Sequence, residues 1–182
     1  MKHAALLVPV FVCCFTIAAQ QRHAVVFTSY NAVGLVAGKL PLDFTAQTEN
    51  GIEFKNWFVG AGFGFDNYYR ATFSLFGAIK KTFPVKHNSL FLYANAGKNL
   101  IAKDRSINNS FSTSYTKGGF YGDAGAGYKI KTTKKTAVFF CVGNSFKNIR
   151  EIEETHGPFG MPGVYDGQRK FARVSFKLGF QF

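Results

Sequence analysis

The sequence is poor in cysteine, proline, tryptophan and acidic residues. Its 182 residues hold three cysteines, five prolines and one tryptophan, and 10 acidic residues stand against 22 lysines and arginines. Cys13 and Cys14 lie in the apolar stretch that opens the chain, so Cys141 alone remains if that stretch is removed. A single cysteine makes no intramolecular disulfide and no cysteine-based zinc site.

The opening stretch has the features of a cleaved export signal. Lys2 and His3 form a short polar start, residues 4–19 are mostly apolar, and small residues precede Gln20. The run is shorter than the ~20 residues that a spanning helix needs, which disfavours a membrane anchor. We therefore expect a signal peptide over residues 1–19 and one mature domain over residues 20–182.

The scarcity of acidic residues leaves a formal net charge of +12. In a soluble protein such an excess suggests nucleic acid as a partner. Export separates this chain from nucleic acid, and basic groups are also attracted to anionic headgroups. We expect a membrane surface, and no nucleic acid, as the partner of these charges.

The mature chain alternates between apolar and polar residues in steps of two. The pattern is clearest in FARVSFKLGFQF, residues 171–182, where Arg173, Ser175 and Lys177 interrupt an apolar series. Side chains alternate between the two faces of a strand, so this pattern predicts strands and not helices. Eight such segments can be placed, near residues 30–38, 42–49, 56–65, 72–82, 89–98, 118–130, 136–146 and 171–182.

The connections between these segments differ in length. The two long ones run from Asn99 to Thr116 and from Lys147 to Gln168, and the turns after the second, fourth and sixth segments are short. Short turns on one rim and longer loops on the other are typical of outer-membrane barrels. The prolines outside the signal, at positions 41, 84, 158 and 162, are all expected between strands, because proline cannot donate to a ladder.

Closure and polarity together predict the fold. An open sheet in lipid would leave backbone groups at its edges without partners, whereas eight strands closed on themselves leave no edge. A soluble barrel would turn its large apolar residues inward. Here the second face of the clearest strands carries mainly Gly, Ser, Gln, Asp and Lys. We predict an all-β, eight-stranded, antiparallel up-and-down transmembrane β-barrel with its apolar residues outside.

The mature chain resembles the eight-stranded outer-membrane proteins of the OmpA/OmpX type, and most of all the compact barrels of Bacteroidetes. The specific feature is the last segment, with its alternating Phe176, Leu178, Phe180 and Phe182. The resemblance implies a multi-pass location in the cell outer membrane, in contact with lipid and lipopolysaccharide. It also implies that the barrel-assembly machinery reads this terminal aromatic series. It implies little about function, because one fold hosts many functions.

Six charges are expected inside the barrel by their parity: Asp43, Glu49, Asp123, Lys129, Arg173 and Lys177. A buried charge needs a partner, so we expect a salt-bridged plug, with an ion path as the alternative. Strand two lies next to strand one, which must pair with strand eight to close the ring. Arg173 and Lys177 should therefore reach Asp43 and Glu49, with Glu49 as the better match for Lys177.

Aromatic residues at the two ends of the third strand predict girdles at the membrane surfaces. Trp57 and Tyr69 have the same parity, and twelve residues of strand tilted by ~40° span about 30 Å. Trp57 would mark one girdle and Tyr68 or Tyr69 the other.

The sequence predicts no catalytic residue, cofactor or metal site. Outside the signal the histidines are His23, His87 and His156, and none lies on a predicted strand beside a serine. Three hypotheses remain: a non-enzymatic structural or interaction component, such as a subunit of a larger outer-membrane complex; a narrow channel for small solutes; and, disfavoured, a lipid A-modifying enzyme. A membrane-protein partner would bind through the two long connections.

Overall fold

The computed structural model describes residues 25–38, 42–67, 71–101, 107–109, 112–133, 135–156 and 162–182. Within these residues the chain forms nine strands, eight of them long. They are β1 (Val26–Ala37), β2 (Asp43–Phe54), β3 (Trp57–Asp66), β4 (Thr72–Val85), β5 (Asn88–Ile101), β6 (Ile107–Asn109), β7 (Ser112–Lys131), β8 (Ala137–His156) and β9 (Pro162–Gln181). The described residues contain no helix of the length and apolarity needed to cross a membrane.

The eight long strands form a closed antiparallel ring, and the parts of the strands that pair within this ring are here called the wall. Each pairs with its neighbours along the chain, β5 pairs with β7, and β1 pairs with β9 to close the ring. Among the described residues, the three-residue β6 pairs with the first three residues of β7, Ser112 to Ser114. Closure gives each of the eight strands two neighbours within the ring, so no ladder edge is left in that part of the barrel.

Alternate residues of each strand face opposite sides of the barrel wall. Large apolar side chains are about half exposed on the outer face all around the ring, as Val33, Leu75, Leu92 and Phe140 illustrate. Polar and charged side chains of the same strands are buried inside. Such an exterior is suited to lipid and not to water, so the apolar-out orientation follows from the pattern.

One rim of the barrel, here called the inner rim, carries the short turns. Lys55 and Asn56 join β2 to β3 with positive φ angles of 47° and 67°, as a two-residue type I′ hairpin requires. Residues 86–87 join β4 to β5, and residues 132–136 join β7 to β8. The opposite, outer rim carries the remaining connections.

The two long connections are mostly strand, which corrects the prediction of loops from Asn99 to Thr116 and from Lys147 to Gln168. β8 continues to His156, β9 begins at Pro162, and β7 begins at Ser112. These outer parts pair with each other beyond the last pairs with β1 and β5. We call residues 112–118, 148–156 and 162–170 the extension. Their polar composition suggested loops, but paired strands also form in water when their ladder bonds are satisfied.

The prediction that every proline outside the signal lies between strands is wrong for Pro84 and Pro162. Pro84 lies within β4, opposite Ser89, and not between strands. It is accommodated because it stands at the end of the strand, next to the turn. Pro162 is the first residue of β9, and Pro41 and Pro158 lie outside the described residues, as does the predicted signal peptide.

Candidate functional site: the closed lumen

Four aromatic rings cross the lumen near the inner rim. Tyr30, Phe58, Phe91 and Phe139, from four different strands, are each at most 2% exposed and form the aromatic layer. Tyr30 packs edge-on against Phe58 and Phe139, with ring centroids 5.0 and 5.6 Å apart, and Phe91 lies 5.8 Å from Phe139. Edge-to-face contacts at these separations stabilise aromatic clusters.

Glycines on the inner face of the wall make room for these rings. A Cβ atom at Gly127 would overlap the ring of Phe91, and one at Gly62 would overlap the ring of Phe76. Phe76 packs against Tyr121 just beyond the aromatic layer, with centroids 5.3 Å apart. At these positions glycine leaves space in a narrow interior for large side chains.

Buried ion pairs fill the lumen between the aromatic layer and the outer rim. Four cations each lie within ion-pair distance of a carboxylate: Lys80 with Glu49 (2.6 Å), Lys177 with Asp123, Lys147 with Asp66, and Arg173 with Asp43 (2.6 Å). The cationic side chains are at most 3% exposed. A buried charge is tolerated when it is both paired and hydrogen-bonded, which is the arrangement here.

The pairs are tied together by further hydrogen bonds. Gln47 and Asn95 each donate to Glu49 Oε1 over 2.9 Å, and Lys80 Nζ lies 4.6 Å from the Tyr30 ring centroid. Asp123 accepts from the Tyr93 hydroxyl over 3.1 Å. Between Asp66 and Asp123 a cavity of only about 10 Å³ remains, which is about enough for one water molecule.

The structure separates correct from wrong pairings among the six predicted lumen charges. Arg173, on β9, donates a hydrogen bond to Asp43, on β2. β1 lies between these two strands, so the long arginine side chain spans two strand spacings, as predicted. The predicted pair of Glu49 with Lys177 is wrong. Glu49 binds Lys80, and Lys177 binds Asp123 and Gln47. Lys80 lies on β4 and Asp123 on β7, outside the set of β9, β1 and β2, whereas Gln47 lies on β2. Side chains therefore cross the lumen and do not only reach neighbouring strands.

Three charged residues of the network were absent from the prediction. Lys80, Asp66 and Lys147 all face the lumen. The parity of β4 contains a signal for Lys80, which shares a face with Ser74 and Phe76. Lys147 lies in a segment predicted as a loop, where alternation gives no inward or outward direction.

Lys129 differs from the other buried cations of the described residues. It is 4% exposed, and its ammonium group donates to the Tyr30 hydroxyl over 2.8 Å. No carboxylate of the described chain lies within ion-pair distance of it. It faces a cavity of about 590 Å³ at the inner rim, here called the vestibule, whose lining also includes Lys131, Lys135, His87 and Glu53.

The remaining predicted residues lie on the outside of the wall. Phe176, Leu178, Phe180 and Phe182 are each at least half exposed on the outer face at the end of the chain. Trp57 is exposed beside the inner-rim turn, where the Lys81 ammonium lies 4.6 Å from its ring centroid. Tyr68 and Tyr69 lie outside the described residues.

Of the three histidines outside the predicted signal, the structure describes the side chain of His87. His87 is exposed in an inner-rim turn, His23 lies outside the described residues, and only the backbone of His156 is described, at the end of β8. Cys141 is a buried free thiol in the lumen. Among the described residues there is no group of three His, Cys, Asp or Glu side chains that could hold a metal ion.

Comparison with known proteins finds similarity in structure only. No protein-family model matches the chain, and no curated protein matches it in sequence. Neisserial surface protein A is 11% identical, with a TM-score of 0.54 over 87% of this chain and 97% of that one. Outer membrane protein AlkL, solved in lipid bilayers, is 12% identical, with a TM-score of 0.48 over 88% and 90%. A major outer membrane protein from Thermus thermophilus is 8% identical, with a TM-score of 0.41 over 86% and 99%.

The ring of strands, the apolar exterior and the likeness to Neisserial surface protein A define the class. The chain has the fold of a small eight-stranded outer-membrane β-barrel, and the predicted fold class is confirmed. An identity of 11% shows the fold alone, so the role of this barrel has to be argued from its own residues.

Proposed function

We propose that this protein is a multi-pass outer-membrane barrel with a closed lumen, acting as a non-enzymatic structural or interaction component. The observation that carries the proposal is the filling of the lumen by the aromatic layer and four buried ion pairs. Eight strands leave an interior just wide enough for side chains, and here the side chains occupy it. This filling by the described side chains favours a closed lumen over a narrow channel, which needs a continuous water path.

Conductance in planar lipid bilayers tests the closed lumen. The purified protein should show no steady conductance, because the aromatic layer and the four buried ion pairs fill the lumen. The double variant Phe58→Ala/Phe91→Ala, in which two rings of the layer are truncated, is measured beside it once its barrel is shown to remain heat-modifiable on gels. Conductance in this variant alone would show that the aromatic layer, and not the ion pairs, closes the lumen. Steady conductance by the unmodified protein would establish the channel alternative instead.

We propose that the extension is the surface through which the barrel meets a membrane-protein partner. Beyond the wall, β8 and β9 carry exposed ion pairs on both faces, Arg150 with Asp166 and Arg169 with Glu151. A paired, charged sheet held on a rigid barrel is suited to present a fixed binding surface. Of the connections predicted for this role, most of Lys147 to Gln168 lies within the extension, and Asn99 to Thr116 contributes its last residues, from Ser112.

Copurification in mild detergent tests the extension. We expect a specific membrane protein to copurify with the full chain and to be lost when residues 149–169 are replaced by a short Asn-Gly turn. The matched control is Lys98→Ala, on the outer face of β5 outside the extension. Equal recovery of the same partner from the shortened chain would contradict this role.

The outer-membrane location and its lipid and lipopolysaccharide contacts are supported by the half-exposed apolar band around the ring. We propose that Phe176, Leu178, Phe180 and Phe182 form the series read by the barrel-assembly machinery, since they lie together on the outer face of β9. Phe182→Asp should lower the outer-membrane level of the protein severalfold in cell fractionation. An unchanged level, with normal heat-modifiability, would refute that role for Phe182.

Trp57 stays a proposed girdle residue, and the resemblance to the Bacteroidetes barrels stays a prediction. The lipid A-modifying alternative has a direct test. Expression of the protein, or of its His23→Ala, His87→Ala and His156→Ala variants, should leave the lipid A mass spectrum unchanged. Any acylation change that depends on one histidine would establish an enzyme.

A further inference from the structure

The vestibule at the inner rim combines a cavity with an excess of positive charge. Lys129, Lys131 and Lys135 line it, against one carboxylate from Glu53. His87 and several hydroxyl groups complete the lining. The aromatic layer closes its outer end, because the Lys129 ammonium reaches the hydroxyl of Tyr30, a member of that layer.

Lys129 is the residue that distinguishes this cavity from the rest of the lumen. Among the buried cations that the structure describes, Lys80, Lys147, Arg173 and Lys177 each bind a carboxylate. Lys129 is equally buried, yet its hydrogen-bond partner is a neutral phenol. Glu53, the carboxylate of the lining, lies beyond ion-pair distance of this ammonium group. A buried ammonium group with no carboxylate in contact is costly, and an anion bound in the cavity would lower that cost.

We propose that the vestibule binds a phosphate group. Lysine binds phosphate as a point charge, and the described lining brings three lysines to one cavity. Hydroxyl donors from Ser89 and Thr82, which are buried beside the lysines, suit the several oxygens of phosphate. The volume of about 590 Å³ admits a phosphorylated small molecule or the headgroup of a membrane lipid.

The two sources of phosphate are separated by two titrations of the full chain in maltoside micelles. One titration adds inorganic phosphate, with chloride at equal ionic strength as the reference. The other adds phosphatidic acid to the micelles, with a neutral diacylglycerol as the reference. The readout is the NMR chemical shift of backbone amides over residues 129–133.

We expect saturable shifts in at least one titration. Saturation by inorganic phosphate identifies a soluble ligand, and saturation by phosphatidic acid alone identifies a lipid headgroup. Lys129→Met should weaken binding at least tenfold, because it removes the buried charge. Lys131→Gln/Lys135→Gln, at exposed positions that leave the barrel intact, should weaken it severalfold, and the control Lys117→Met on the extension should not change it.

The proposal is overturned if neither phosphate source shifts these amides more than its reference. It is equally overturned if the Lys131→Gln/Lys135→Gln variant binds as tightly as the unmodified protein, since this variant does not depend on the folding of Lys129→Met. Conductance of the barrel has no bearing on either result.

Discussion

Strands β8 and β9 each pass through two environments, and their side chains differ accordingly. In the wall, residues 137–147 and 171–181 place apolar residues such as Val142 and Phe176 outside, and charges such as Lys147 and Lys177 inside. In the extension the same strands carry charges on both faces, with Arg150 and Asp166 on one face and Glu151 and Arg169 on the other. The backbone pairing continues unbroken from one part to the other.

One pair of strands thus carries charge on one face in the wall and on both faces in the extension. The surroundings of the outer face, lipid or water, decide where charge can be placed along a strand. The ion pair of Lys177 with Asp123 is at most 2% exposed, whereas Arg150 and Asp166 are 55% and 40% exposed. Buried pairs become costly when one partner is lost, while exposed pairs contribute little because water replaces the partner. Equivalent changes in the two parts should therefore have unequal effects.

The largest effect is expected at Asp123. Asp123→Ala leaves the Lys177 ammonium buried with Gln47 as its remaining described hydrogen-bond acceptor, and should lower the free energy of unfolding by about 3–5 kcal/mol. The double variant Asp123→Ala/Lys177→Met should lose less, because no charge stays unpaired. Denaturant unfolding from lipid vesicles measures both, and additive losses would show that the two side chains do not interact.

Arginine substitution of one valine in each part of the β8–β9 hairpin gives a matched pair. Val142, on the outer face near the middle of the wall, is 45% exposed, and Val164 in the extension is 68% exposed. Val142→Arg should cost about 2–4 kcal/mol, because the charge meets hydrocarbon, and Val164→Arg should cost close to nothing. The same unfolding measurement compares them. Equal costs would mean that the extension also lies in lipid.

The smallest effect is expected from acid on the extension. The hydrogen bond from Arg150 lowers the pKa of Asp166 below its ordinary value of 3.8. The pair therefore stabilises the paired strands of the extension fully above pH 3.8, and this stabilisation is lost as the pH falls through the lowered pKa of Asp166. Amides in the outer parts of β8 and β9 should then exchange faster, relative to their intrinsic rates, while wall amides stay protected. In Asp166→Asn this extra pH dependence should be absent, and its persistence would exclude the pair as its cause.

The parts of the fold that were predicted correctly depend on local pattern. Alternation placed eight strands, an apolar exterior and the inward direction of residues such as Arg173, because side-chain direction along a strand follows from chain geometry alone. Strand ends were predicted poorly in β7, β8 and β9, because polar residues in paired strands outside the membrane lack the apolar signal that marks the wall.

The sequence by itself determined that this chain forms a closed barrel with lipid outside and charge inside, since period two and the placement of apolar residues admit no other face for the membrane. Only the tertiary structure decided which charges meet. Lys80 and Glu49, and Lys177 and Asp123, come together across the lumen, over distances that depend on the register of every strand in between. The same geometry places no described carboxylate within ion-pair distance of Lys129, and no single strand encodes that outcome.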